Sequence, residues 1–204
     1  MKNLINFFSA VLLVLYAFNL SGQVGIRAGV NLSNLSIDPV DDDFSPETKL
    51  GFGVGVFYIL KSGDNFTIQP ELNFMQHGSK FDQDAEATLS LNYLQLPVMV
   101  KICFGDMDAT NFFVQGGPYL GFGMGKAKVK ACENGDCEEE ELEYGDGEGE
   151  IKNPDFGLQL GAGVNLNSKI FFDARYILGL TDLSSDNDVT LKHTGINISV
   201  GYRF

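Results

Sequence analysis

Beyond residue 22 the chain alternates apolar and polar positions with a period of two, the signature of extended backbone, and not with the 3.6 period of a helix. In residues 24–33, Val24, Ile26, Ala28, Val30 and Leu32 fall on one face, and Gly25, Arg27, Gly29, Asn31 and Ser33 fall on the other. The same two-faced pattern returns at 50–60, 66–77, 90–101, 111–125, 155–166, 170–180 and 193–204. It predicts eight strands, each close to the roughly ten residues that cross a bilayer at a tilt. The fourth is the least regular, because Leu89 and Leu91 stand out of phase with Leu94 and Leu96 around Tyr93.

The connections alternate in length. Segments 61–65, 102–110 and 167–169 are short, whereas 35–49, 78–89, 126–154 and 181–192 are long. Short turns at one end and long loops at the other are what an antiparallel up-and-down transmembrane barrel requires, with the turns periplasmic and the loops extracellular. The expected fold is therefore all-β, an eight-stranded barrel in a single domain.

The composition of the two faces decides which one lies outside. A soluble lipocalin-like carrier would turn its apolar face inward around a ligand and a charged face to water. Here the polar face is mostly small or amide: Gly51, Gly53 and Gly55, then Gln115, Gly117, Gly121 and Gly123, then Gly157, Gln159, Gly161, Gly163 and Asn165. Small residues suit a crowded lumen, and the opposite face, with Phe156, Leu158, Leu160, Ala162 and Val164 in one strand, suits lipid. Aromatics on that face gather near the strand ends, with Tyr58, Phe66, Phe112, Phe172, Tyr202 and Phe204 toward the short turns. Phe52, Phe74, Phe122 and Phe156 lie toward the loops, which gives two girdles at headgroup level.

Residues 1–22 have the order of a secretory signal: Lys2, an apolar run over 4–20, then Ser21-Gly22. They are expected to be cleaved near Gly22, leaving 23–204 as the barrel domain and placing it in the bacterial outer membrane.

Charge sharpens this picture. The 204 residues carry 14 Lys plus Arg against 27 Asp plus Glu, a net −13. That argues against nucleic acid as a partner, since phosphates require clustered cations. The four long segments hold 21 of the acidic residues and 7 of the basic ones, so the negative charge is sorted into the loops. No Cys-x-x-Cys pair supports structural zinc, and no cofactor motif is present.

Several segments, in order, are similar to the bacterial PorT-like outer-membrane β-barrel family. They are Gly25 through Ser33, Gln69-Pro70-Glu71-Leu72 with Gly78, Tyr93-Leu94-Gln95-Leu96-Pro97, and Gly117-Pro118-Tyr119. Gly161-Ala162-Gly163 and Arg175-Tyr176 with Gly179-Leu180-Thr181 extend the resemblance across the mature chain. It implies an outer-membrane barrel in contact with lipid, with a last strand ending in Tyr202 and Phe204 that the barrel assembly machinery would read. Members differ in role, from secretion accessory to unassigned, so the resemblance leaves open which extracellular or periplasmic protein is the partner.

Arg27, Glu71, Asp173 and Arg175 fall on the polar face of the first, third and seventh strands, so they are expected to pair inside the barrel, since unpaired buried charge is costly. Lys101 and Arg203 sit nearer the short-turn end. An eight-stranded interior is just wide enough to be filled by side chains, which favours a plug over the alternative, a small pore lined by these charges. His77 and His193 fall near the loop rim with Ser79, Asp182, Asp186 and Asp188. A lipid hydrolase could be built from such a set, but rim histidines are more simply solvated loop residues. Asp41-Asp42-Asp43, Glu138 to Glu141 and the Asp182 group follow no calcium-loop spacing, and loose divalent bridging is their only expected metal role. In the longest loop, folding about Asn134-Gly135, a strong hairpin signal, pairs Cys132 with Cys137 and sets Lys130, Lys128 and Lys126 opposite Glu139, Glu141 and Glu143. A disulfide from Cys132 to Cys137 is expected in an exported chain, closing a hairpin that extends strands five and six and leaving Cys103 alone. The function expected is a non-enzymatic barrel acting as a structural or interaction protein through its acidic loops, accessory to secretion or envelope organisation.

Overall fold

A computed structural model describes residues 22–38, 46–61, 65–82, 86–105, 109–133, 136–145, 147, 149–185 and 189–204. The expected signal segment up to residue 21, the Asp41-Asp42-Asp43 run, the Asn134-Gly135 turn and Asp186 and Asp188 lie outside them. Ten strands form: β1 (Gln23–Asp38), β2 (Pro46–Lys61), β3 (Phe66–Asp82), β4 (Glu86–Phe104), β5 (Asn111–Gly123), β6 (Ala127–Glu133), β7 (Asp136–Leu142), β8 (Asp155–Asn165), β9 (Ile170–Gly179) and β10 (Thr190–Arg203). Eight close a barrel in the antiparallel order β1-β2-β3-β4-β5-β8-β9-β10, with β10 returning to β1. The remaining two, β6 and β7, form a hairpin that rises beyond the end of β5 along the edge of β4, with Lys128 opposite Ser90 and Cys132 opposite Glu86.

The period of two sets the geometry. Along the barrel strands the odd-numbered residues point inward and the even-numbered ones outward, except at the start of β2, where a register shift between Thr48 and Gly53 sets Thr48 opposite Ser79. The strands are nonetheless longer than the pattern predicted: 35–38, 78–82 and 86–89, read from sequence as loop, continue β1, β3 and β4. The reason is a change of solvent. On β1 the outward Ala28, Val30 and Leu32 give way to Asn34 and Ser36, while inward Arg27, Asn31 and Ser33 give way to Leu35 and Ile37. On β4 the outward Leu94 and Leu96 give way to Asn92 and Ser90, and the inward side continues with Tyr93, Leu91 and Leu89. The backbone phase of β4 never changes. What changes is which chemistry faces out, and that produced the apparent break around Tyr93.

This inverted end carries its own apolar core of Leu35, Leu89, Leu91, Tyr93, Ala127, Ile151 and Leu183, with Val129 and Leu142 of the hairpin packed against it. It caps the barrel at the loop end. At the short-turn end a second cluster of Phe57, Ile59, Cys103, Phe113 and Phe171 fills the bore.

Candidate functional site: the barrel lumen

Strands β1, β3 and β9 bring Arg27, Glu71, Asp173 and Arg175 together at mid-lumen. The Arg175 guanidinium grips Glu71 through Nη1 to Oε2 and Nη2 to Oε1, both 2.9 Å, and its Nε donates to Asp173 Oδ2 at 3.0 Å. Arg27 closes the ring, donating to Glu71 Oε2 at 3.0 Å and Asp173 Oδ1 at 3.1 Å. Two cations and two anions alternate, so the cluster is neutral.

Neutrality alone does not compensate for desolvating four charges; the remaining lone pairs and protons need partners as well. Gln69 and Asn73 donate to Glu71 at 2.7 and 2.8 Å, and Gln115 donates to Asp173 at 2.7 Å. The Ser199 hydroxyl also donates to Asp173, while Asn197 accepts from Arg27 at 3.0 Å and Gln159 accepts from Arg175 at 3.3 Å. The sequence pattern singles out the four charges and places Gln115 and Gln159 on the lumen face, but it does not mark these six neutral groups as partners of the charges. Their signal was present, since all stand at odd positions on inward faces.

Below this layer Lys101 is buried with its ammonium 3.5 Å from the Phe113 ring centre and 4.4 Å from that of Phe171, and its Nζ has no hydrogen-bond partner among the described residues. Aromatic faces attract a cation, but they supply no acceptor. The rings fit because each faces an inward glycine on the neighbouring strand: Phe57 opposite Gly25, Phe113 opposite Gly163 and Phe171 opposite Gly201. A Cβ on any of these three glycines would lie 2.0 to 2.3 Å from the facing ring. Arg203 lies over Phe171 and donates to Asn165 and the Ser168 carbonyl.

Above the ion cluster the two histidines expected on a solvated rim are instead fully buried, with ring centres 4.4 Å apart. The apolar cap covers them. Tyr119 donates to Asp155 Oδ2 at 3.0 Å and lies 2.9 Å from His193 Nε2, while the His77 nitrogens lie 3.2 and 3.1 Å from the amide nitrogens of Asn31 and Gln95. The Ser79 hydroxyl has its acceptors elsewhere, the Glu47 carbonyl at 2.7 Å and Asn34 Oδ1 at 2.9 Å. Asp182 sits at the surface, 3.6 Å from Lys152. Serine, histidine and aspartate are thus not assembled as a hydrolytic set among the described residues. No described group of three His, Cys, Asp or Glu side chains is arranged to hold a metal.

A closed eight-stranded barrel with an apolar exterior and a polar, filled bore is one of the two ways a chain can satisfy its backbone in lipid. Residues 19–185 match the family described as outer membrane protein beta-barrel domain. The chain belongs to that family. Among solved structures it is similar to Neisserial surface protein A, at 10% identity over 91% of this chain and 100% of that one, with a TM-score of 0.50. It is also similar to Ail, the attachment invasion locus protein of Yersinia pestis, at 17% identity over 91% and 100% with a TM-score of 0.49. OprG of Pseudomonas aeruginosa matches at 13% identity over 90% and 96% with a TM-score of 0.48. No curated protein matches.

The outer-membrane barrel sits in lipid through its even-numbered faces, where Phe112, Phe172 and Phe204 are exposed at the periplasmic end and Phe52, Phe122 and Phe156 at the other. Outside the membrane stands the β6–β7 hairpin, closed by the Cys132–Cys137 disulfide with the Cα atoms 4.1 Å apart. Cys103 is free and buried. The register is the one expected from Asn134-Gly135; Lys128 pairs with the diagonal Glu139 and not with Glu141, while Lys126 reaches both the diagonal Glu141 at 3.2 Å and its expected partner Glu143 at 3.8 Å. The strong twist of a two-stranded ribbon displaces long side chains toward the diagonal neighbour. The hydrogen bond and charge of Glu139 raise the Lys128 ammonium above its ordinary range, and Lys128 holds the Glu139 carboxyl below its own. The hairpin continues β5 as expected, but β8 starts only after residues 143–154, whose Tyr144 accepts from the Asn92 N–H at 3.0 Å and donates to the Asn92 carbonyl at 3.2 Å. Burial pushes the Tyr144 phenol up to about 12.

Proposed function

We propose that this outer-membrane barrel is a sealed, non-enzymatic scaffold that holds its acidic extracellular segments, and the disulfide-closed hairpin above all, in front of a protein partner. The observation that carries the reading is a bore occupied by packed side chains near both ends and at its middle. Phe57, Phe113 and Phe171 occupy the periplasmic end, the Arg27, Glu71, Asp173 and Arg175 ring the middle, and the cap over His77 and His193 the outer end. A lumen committed to packing leaves the exterior as the working surface. On this reading residues 1–22 are the export signal, Tyr202 and Phe204 present the terminal aromatic motif to the barrel assembly machinery, and the PorT-like resemblance points toward secretion or envelope organisation.

Purified protein in planar bilayers tests the reading against the pore alternative. The expected result is an absence of stable, ion-selective steps. Reproducible steps that disappear with Arg175→Ala would overturn it.

A further inference from the structure

The barrel proper has no free edge, because β10 pairs with β1 and β3 pairs with β4. The hairpin does have one. Strand β7 is the terminal strand of the sheet, paired with β6 on one side and with no described residue on the other. The short Cα separation of Cys132 and Cys137 marks a non-hydrogen-bonded pair. Alternation from that pair turns the N–H and C=O groups of Glu138 and Glu140 toward β6 and those of Cys137, Glu139 and Glu141 toward the open edge.

Exposed edges are usually shortened, bulged or covered, because they template another strand. This one is held extended instead, by the disulfide at its tip, by the pairing of β6 to β4 and by Leu142 packed into the cap. Its seven residues span roughly 20 Å and include Asp136, Glu138, Glu139, Glu140 and Glu141. A second copy of β7 would place like charges opposite one another, which is destabilising. Lys126 and Lys128 already pair with Glu141 and Glu139, whereas Glu138 and Glu140, on the other face, make no ion pair with a described residue.

We infer that β7 is a docking edge for an extended, Lys- or Arg-rich segment of a partner protein, which adds to the hairpin as a further strand. This deepens the scaffold reading and rests on it. Main-chain hydrogen bonds to Cys137, Glu139 and Glu141 set the direction and register, and the basic side chains meet the glutamates.

The test uses the full chain in nanodiscs and an eight-residue peptide alternating Lys with Thr or Val. The same peptide, N-methylated at alternate residues in each of the two registers, serves as control. The unmethylated peptide is expected to bind and to slow amide exchange at Glu139 and Glu141, and one of the methylated registers to bind at least tenfold more weakly. Glu139→Pro, which removes an outward N–H while leaving the β6 bonds intact, is expected to weaken binding more than Glu139→Gln. Equal binding of all three peptides would reduce the interaction to bulk charge and overturn the inference, as would no binding at all. Either outcome with a non-conducting barrel sinks this inference alone, whereas channel conductance sinks the scaffold reading independently.

Discussion

Arg175 and Glu71, 104 positions apart in the chain, meet through two parallel hydrogen bonds of 2.9 Å and tie β9 to β3, two strands that do not pair, across the bore. Removing one member of such a cluster strands its partners. Glu71→Ala leaves two guanidinium groups facing Asp173 alone, and breaking a buried pair from one side costs about 3–5 kcal/mol. Glu138→Ala, on the exposed hairpin, is expected to stay within about 0.5 kcal/mol of the parent. Urea midpoints read from the gel-mobility difference between folded and unfolded protein separate the two. Equal midpoints would contradict a paired interior.

Lys101 gives the opposite sign. Its ammonium is buried against Phe113 and Phe171 without an acceptor among the described residues, so Lys101→Met exchanges a cation held only by aromatic rings for an apolar chain of similar length. The same midpoint measurement is expected to rise, by about 1 kcal/mol or more, in keeping with gains seen when poorly satisfied buried charge is replaced by apolar groups. A fall would show that the cation–ring contacts outweigh the desolvation of the ammonium.

The Cys132–Cys137 bond lies outside the barrel wall, so its loss should be felt locally. Closing so short a loop stabilises the hairpin by about 2 kcal/mol, and reduction should expose Lys128 and Lys130 to trypsin. Cleavage there is expected to accelerate several-fold on reduction while the barrel's heat-dependent gel shift is unchanged. Barrel unfolding under the same conditions would place the hairpin within the cooperative core.

Asp182 organises the surface beside the cap. Partial burial works to raise its carboxyl, but the N–H groups of Leu191 at 2.8 Å and Ser184 at 3.1 Å, with Lys152 nearby, outweigh this and hold it below the usual range. The unfolded chain titrates near about 3.9, so the contribution of this carboxylate is complete above that pH and fades as pH falls through its lower folded value. The Leu191 amide resonance is expected to titrate with a midpoint below about 3.9 and to lose that titration in Asp182→Asn. A midpoint above 3.9 would reverse the sign.

The sequence by itself determined the alternation along each strand and the register about a tight turn, both of which depend on one strand and its immediate neighbour. Side chains alternate along extended backbone, so the number of barrel strands and their inward and outward faces could be read directly, from Val24 and Arg27 to Tyr202 and Arg203. Register about a tight turn is equally local, and it brought Cys132 to Cys137 across the hairpin. The tertiary structure decided whatever depends on closure. Arg27 and Asp173 are 146 positions apart, and their meeting depends on strand tilt and stagger around the barrel, which no single-strand pattern encodes. Closure also moved His77 and His193 from an expected rim into a buried stack. Where the apolar belt ends, the same alternation passes from lipid to water, so Leu89 and Leu91 read as a broken strand until the solvent on each side of β4 was known.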